Sequence, residues 1–163
     1  MTTGRIGRGT VPTVPPGDRA QVAAASRLVL ATSDPVFAAQ CEKALDGSSH
    51  QMLASVTLPE LVDATRRLAP DLVVIDADRE DVAALKMLAT KVMLASRARI
   101  VLVSASLAPG SPLLCALLQS IAAGFVQKLR GPSWLGLSDD DRAAFVAALA
   151  GPAGGAAPVR SRP

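Results

Sequence analysis

The sequence predicts an α/β fold: a doubly wound, five-stranded parallel sheet with helices on both faces. Two observations carry this. Along residues 27–150, five short apolar stretches alternate with five segments of helical pattern, and strict alternation of strand and helix builds parallel sheets. The clearest strands, 71–76 (DLVVID) and 100–104 (IVLVS), are apolar over consecutive residues rather than at every second one. That is the pattern of strands covered on both faces.

The elements follow in order. Residues 27–32 (RLVLAT) form the first strand, and 36–45 read as a helix with Asp34 at its cap and Pro35 at its first position. Residues 51–56 (QMLASV) make a weaker strand. An amphipathic stretch over 58–68 then sets Leu58, Leu61, Val62 and Leu68 on one side, with Glu60, Asp63, Arg66 and Arg67 largely elsewhere. After the strand at 71–76, a helix over 82–94 turns Leu85, Leu88 and Val92 inward, with Met87 a further candidate for that side. Asp78, Glu80 and Asp81 stand before it, where acids suit the helix dipole. After the strand at 100–104, residues 111–122 form a helix entered through Pro112, and 124–128 (GFVQK) form the last strand. Ser138 caps the final helix, with Asp141 three residues on and Gly151-Pro152 ending it.

Composition narrows the function classes. Half of the 163 residues are hydrophobic and only 2% aromatic, with no Tyr. The core is therefore aliphatic, and stacking platforms for single-stranded nucleic acid are scarce. The net charge of +3 belongs to the ends. Residues 1–26 hold three arginines against one aspartate, and 151–163 hold two arginines and no acid, leaving 12 basic and 13 acidic side chains between. A near-neutral folded part does not suit nucleic acid. The end segments, rich in Gly, Pro and Thr or Ala, are expected to be flexible tails. Cys41 and Cys115 lack CxxC spacing, and the single histidine, His50, is far from both. That argues against zinc and for two small buried hydrophobes in a reducing compartment. Neither a secretory leader nor an apolar run of membrane-spanning length is evident, so a cytoplasmic location is expected.

Doubly wound sheets carry their sites at the carboxyl ends of the strands. Those ends bring Thr32, Ser33 and Asp34, then Asp76, Ser104 and Lys128. No glycine-rich phosphate loop follows any strand, which argues against a dinucleotide or P-loop site. Each residue has a plainer reading beside the functional one. Asp76 could cap a turn, Ser104 could be a polar strand terminus, Lys128 a solvated charge, and an Asp76–Lys128 pair purely structural. Trp134, in the loop 131–136, suits packing on the last helix better than a partner anchor.

Asp76, Ser104 and Lys128, each at its own strand end, together with 122–128 (AAGFVQK), resemble the response-regulator receiver domain over about residues 27–150. The resemblance implies a flavodoxin-like sheet, with Asp76 as phosphoacceptor, Ser104 as the residue that responds to the phosphoryl group and Lys128 as the partner of its oxygens. Two departures stand out. Aligning Asp34-Pro35 with the family's acid–proline step puts Thr32 and Ser33 where receivers carry the acidic pair that helps hold a divalent cation, although a one-residue shift would recruit Asp34 as a single acid. Leu129 follows the lysine where proline is usual. Hydroxyls bring no charge to a cation that favours carboxylates, and without the cation a transferring phosphoryl group loses a main stabiliser. The favoured expectation is a degenerate pseudo-receiver: a stand-alone, non-enzymatic module of protein–protein interaction without a metal cofactor. The alternative is a working phosphoacceptor, loaded on Asp76 by a histidine kinase with Mg²⁺. The resemblance implies docking through the last helix, the fifth strand and the helix before it. Its partners are signalling proteins, with neither nucleic acid nor membrane among them.

Overall fold

The computed structural model describes residues 25–78, 80–121, 124–128 and 138–151. Its elements run β1 (Ser26–Ala31), α1 (Pro35–Leu45), β2 (His50–Val56), α2 (Leu61–Leu68), β3 (Leu72–Asp76), α3 (Val82–Ala95), β4 (Arg99–Ser104), α4 (Pro112–Ser120), β5 (Gly124–Gln127) and α5 (Asp139–Ala150). The strands form one sheet in the order β2-β1-β3-β4-β5, every neighbouring pair parallel. The sequence expectation for the fold therefore holds. The tails assigned to 1–26 and 151–163 lie outside the described residues, except for Ala25, Ser26, which opens β1, and Gly151, which caps α5. Trp134 and the loop around it also lie outside.

Alternate residues of the central strands feed two cores, because successive strand side chains point to opposite faces. Val29, Ala31, Val73, Ile75, Ile100 and Leu102 pack under α2, α3 and α4 through Leu61, Leu85, Ala89, Val92 and Leu117. Leu28, Leu30, Leu72, Val74, Val101 and Val103 pack under α1 and α5 through Phe37, Cys41, Phe145 and Leu149. Three details differ from expectation. Residues 58–60 form a separate 3-10 turn closed by a Thr57–Glu60 capping box, so α2 starts only at Leu61. Met87 faces solvent, because Leu85, Ala89 and Val92 already fill the inner line of α3. Cys41 is buried, but Cys115 is exposed beside the inward Leu114 and Leu117 of α4. Among the described residues no helix is long and apolar enough to cross a membrane.

Three arginines, Arg27 of β1, Arg99 of β4 and Arg142 of α5, tie their elements to the ends of helices. Arg27 donates to the Leu68 and Ala69 carbonyls at the end of α2, where Ala69 takes a left-handed conformation with φ 44°. Arg142 donates to the Ala44 and Asp46 carbonyls at the end of α1, and Arg99 to the Leu149 and Gly151 carbonyls at the end of α5. The last carbonyls of a helix lack intrahelical partners and carry partial negative charge, so guanidinium groups suit them. Gly47, with φ +70°, lets the chain turn from α1 into β2.

His50, at the start of β2, is 7% exposed, and neither ring nitrogen makes a hydrogen bond among the described residues. Burial lowers its pKa below the usual histidine value; the Val146 backbone opposes that and the Arg99 charge adds to it. The folded state then resists a proton that the unfolded chain accepts below about pH 6.5. Stability should be full above that pH and fall as the pH drops through the histidine range. Urea unfolding between pH 7.5 and 5 should show this slope, and His50→Phe should flatten it; an equal slope in both would sever the link to His50.

Candidate functional site

The chain leaves β1 to form β2 on one side and returns to form β3 on the other. This reversal opens a crevice at the carboxyl ends of β1 and β3, the usual binding place of such sheets. There lies a cleft of about 120 Å³ lined by Ser33, Asp34, Asp76, Asp78, Glu80 and Lys128.

β3 is buried along its whole length and delivers Asp76, 8% exposed, to the cleft floor. Both of its carboxylate oxygens are engaged. Oδ2 accepts the Thr32 hydroxyl at 2.7 Å and the Lys128 ammonium at 2.9 Å, and Oδ1 accepts the Asp78 N–H at 3.3 Å. Lys128, just past β5, gives a second bond of 3.1 Å to Asp78 Oδ2, and its ammonium lies 4.0 Å from the centre of the Phe37 ring. Its partners thus span β3, the loop after it and α1. Cys41 of α1 lies buried nearby. Burial pushes its thiol up to about 12, with the Lys128 charge opposing and the Asp76 charge adding, so it stays a protonated core residue.

Thr32 directly follows β1 at 6% exposure, and its hydroxyl, besides donating to Asp76, accepts the Asp34 N–H at 3.0 Å. Ser33 points to solvent at the rim. Asp34 caps α1 as expected, with Oδ1 accepting the Val36 and Phe37 N–H groups at 2.9 and 3.2 Å.

Ser104 is fully buried at the end of β4, but its hydroxyl does not meet Asp76. It donates to Asp78 Oδ1 at 2.7 Å and accepts the N–H groups of Ser106 and Leu107 at 3.1 and 3.0 Å. The same Asp78 oxygen accepts the Ala105 N–H at 2.7 Å, the Ser106 N–H at 3.0 Å and the Ser106 hydroxyl at 3.1 Å. Burial alone would raise the Asp78 carboxyl, but bonds from Ser104, Ser106, Lys128 and Ala105 outweigh it and hold the group down at about 2. Asp78 is thus the link between Lys128 and Ser104. It had read from the sequence as one of three acids at a helix start. In the structure Asp81 alone caps α3, bonding the Ala83 and Ala84 N–H groups. The available signal was the Ser-Ala-Ser step over 104–106, a cluster of small donors at a strand end.

The divalent cation implied by the receiver resemblance fits these groups poorly. Asp76 and Asp78 share one ammonium, Asp34 turns an oxygen to the start of α1, and Thr32 and Ser33 are neutral. Among the described residues no three His, Cys, Asp or Glu side chains are grouped to hold a metal ion. Magnesium demands carboxylate and water oxygens in octahedral array, and here one lysine ammonium already occupies an oxygen of each carboxylate.

No family model matches the sequence, and no curated protein matches it. Solved structures do. The response regulator domain of CheB from Thermotoga maritima superposes with a TM-score of 0.61 at 16% identity, covering 78% of this chain and 98% of that one. The signal receiver domain of NarL from Mycobacterium tuberculosis gives 0.55 at 20% identity, over 76% and 95% of the two chains. The CpaE2 pilus assembly protein from Sinorhizobium meliloti gives 0.58 at 14% identity, over 76% and 97%. With Asp76, Ser104 and Lys128 at the ends of β3, β4 and β5, the chain has the fold of the response-regulator receiver domains.

Proposed function

We propose that this domain is a receiver-type signalling module that acts by binding other proteins and does so without Mg²⁺-dependent phosphorylation of Asp76. The observation behind this reading is the shared ammonium: Lys128 bonds Asp76 at 2.9 Å and Asp78 at 3.1 Å, while Thr32 bonds the same Asp76 oxygen. A cation entering between these carboxylates would have to displace the lysine, and Thr32 and Ser33 would offer it only neutral oxygens. In this reading the module is not an enzyme, works in the cytoplasm, and docks on signalling proteins through α4, β5 and α5, the face that the receiver resemblance implies. The likeness to a pilus assembly protein is compatible with a receiver fold serving as an assembly surface.

The competing reading makes Asp76 a phosphoacceptor loaded by a histidine kinase. Magnesium titration followed by beryllofluoride or acetyl phosphate separates the two. The amide signals of Asp76 and Asp78 should shift little in millimolar Mg²⁺ and form no beryllofluoride adduct, whereas Thr32→Asp with Ser33→Asp should strengthen binding. Saturation of the natural sequence in the millimolar range, with an adduct on Asp76, would overturn the proposal.

A further inference from the structure

Three of the large hydrophobic side chains exposed among the described residues lie on one helix: Met87, Met93 and Leu94 of α3, at 58%, 53% and 84% exposure. The inner line of α3, Leu85, Ala89 and Val92, already fills the core. On the opposite side Ala83, Met87, Thr90 and Leu94 follow one another at steps of four, three and four residues, and all are exposed. That alternation keeps side chains on one line of a helix and is the spacing of a coiled-coil seam. The Thr90 hydroxyl bonds back to the Lys86 carbonyl at 2.8 Å, so it asks no polar partner of whatever packs there. Single exposed hydrophobes are ordinary, but a contiguous line of them marks an interaction surface. A helix that is apolar on two opposite sides is one that is covered on both.

The charges beside this line select its occupant. The charged side chains within α3 are Lys86 and Lys91, one on each flank of the line, at the positions that meet a partner's charges when helices pair. A second copy matches badly. Packed parallel, Lys86 of one copy would face Lys91 of the other; packed antiparallel with Met87 on Leu94, the two Lys91 side chains would meet near the axis. The chain's own ends are basic as well, with five arginines against one aspartate over 1–26 and 151–163. We propose that the outer face of α3 is a docking seam for an amphipathic helix of another protein, apolar along one line and carrying Asp or Glu on both flanks. Opposite charges beside an apolar seam fix the choice and orientation of the partner. The inference goes beyond the reading above, which docks the domain through α4, β5 and α5. The seam belongs to α3, packed between α2 and α4, and neither Mg²⁺ nor Asp76 enters it.

The test is NMR on the full chain with two synthetic peptides of about three heptads, each with Leu at every a and d position and either Glu or Lys at every e and g. The Glu peptide should shift the methyl signals of Met87, Met93 and Leu94 saturably, and the Lys peptide should bind about tenfold more weakly or worse. Lys86→Glu with Lys91→Glu should reverse that preference. Leu94→Gln should weaken the Glu peptide by about tenfold and leave the urea midpoint where it is, because the side chain is exposed. Equal shifts from both peptides, shifts from neither, or shifts confined to α4, β5 and α5 would overturn the proposal. So would Met87 and Leu94 signals that move with protein concentration alone, which would make the occupant a second copy. Nuclear Overhauser contacts from these side chains to residues 1–24 or 152–163 would overturn it too, since the chain's own end would then fill the seam.

Discussion

Replacing Lys128 by methionine is expected to destabilise the domain by about 3–5 kcal/mol, the range for removing one partner of a buried ion pair. The side chains of Lys128, Asp76 and Asp78 are 12%, 9% and 20% exposed, so water screens them little. Methionine keeps most of the stem's apolar packing but leaves two carboxylates facing each other across the cleft without a counter-charge. It also forfeits the cation–π contact with Phe37, worth about 1 kcal/mol. Part of the loss should return when Asp76→Asn or Asp78→Asn is added, because the second change removes one of the two stranded charges and their mutual repulsion. A pair in a crevice open to water would couple by only about 1 kcal/mol. The burial of the pair and the second carboxylate raise the expected coupling to about 2 kcal/mol. Urea unfolding of the double-mutant cycle measures it, and additive single changes would mean that the ammonium does not bridge the two acids.

The second large effect is expected at the opposite edge. Arg99→Ala should cost about 2 kcal/mol, because hydrogen bonds from a charged donor are stronger than neutral ones and their loss leaves helix-end carbonyls without partners. Arg99 lies at the start of β4, and its guanidinium holds the Leu149 and Gly151 carbonyls at the end of α5. Exchange at the last amides of α5 should accelerate with the loss of stability. Arg66→Ala is the control: its ion pair with Asp63 lies in solvent, with side chains 64% and 83% exposed, and its removal should change stability by less than about 0.5 kcal/mol. Equal effects at the two arginines would show that the Arg99 bonds contribute nothing beyond surface charge.

What the sequence determined by itself was everything that local pattern encodes. Consecutive apolar residues over 72–75 and 100–103 called for strands buried on both faces, and Asp34 and Ser138 marked the starts of α1 and α5. Asp76, Ser104 and Lys128 were legible because each ends an element, and a parallel sheet sends all such ends to one edge. The tertiary structure alone decided who meets whom along that edge. Asp78 sits two residues past its strand, beside Glu80 and Asp81, and nothing local separates an acid that caps a helix from one that crosses to β4. Thr32 read as a missing acid, yet it bonds Asp76 44 residues away. The arginine caps span 41 to 98 residues in sequence, and solvent exposure of Met87 and Cys115 depended on which neighbours had already filled the inner line of α3 and α4. Periodicity resolves which side of an element is apolar, because that is a property of a few adjacent residues. Which polar groups become partners is settled only when the sheet brings loop ends from distant parts of the chain to within hydrogen-bond distance.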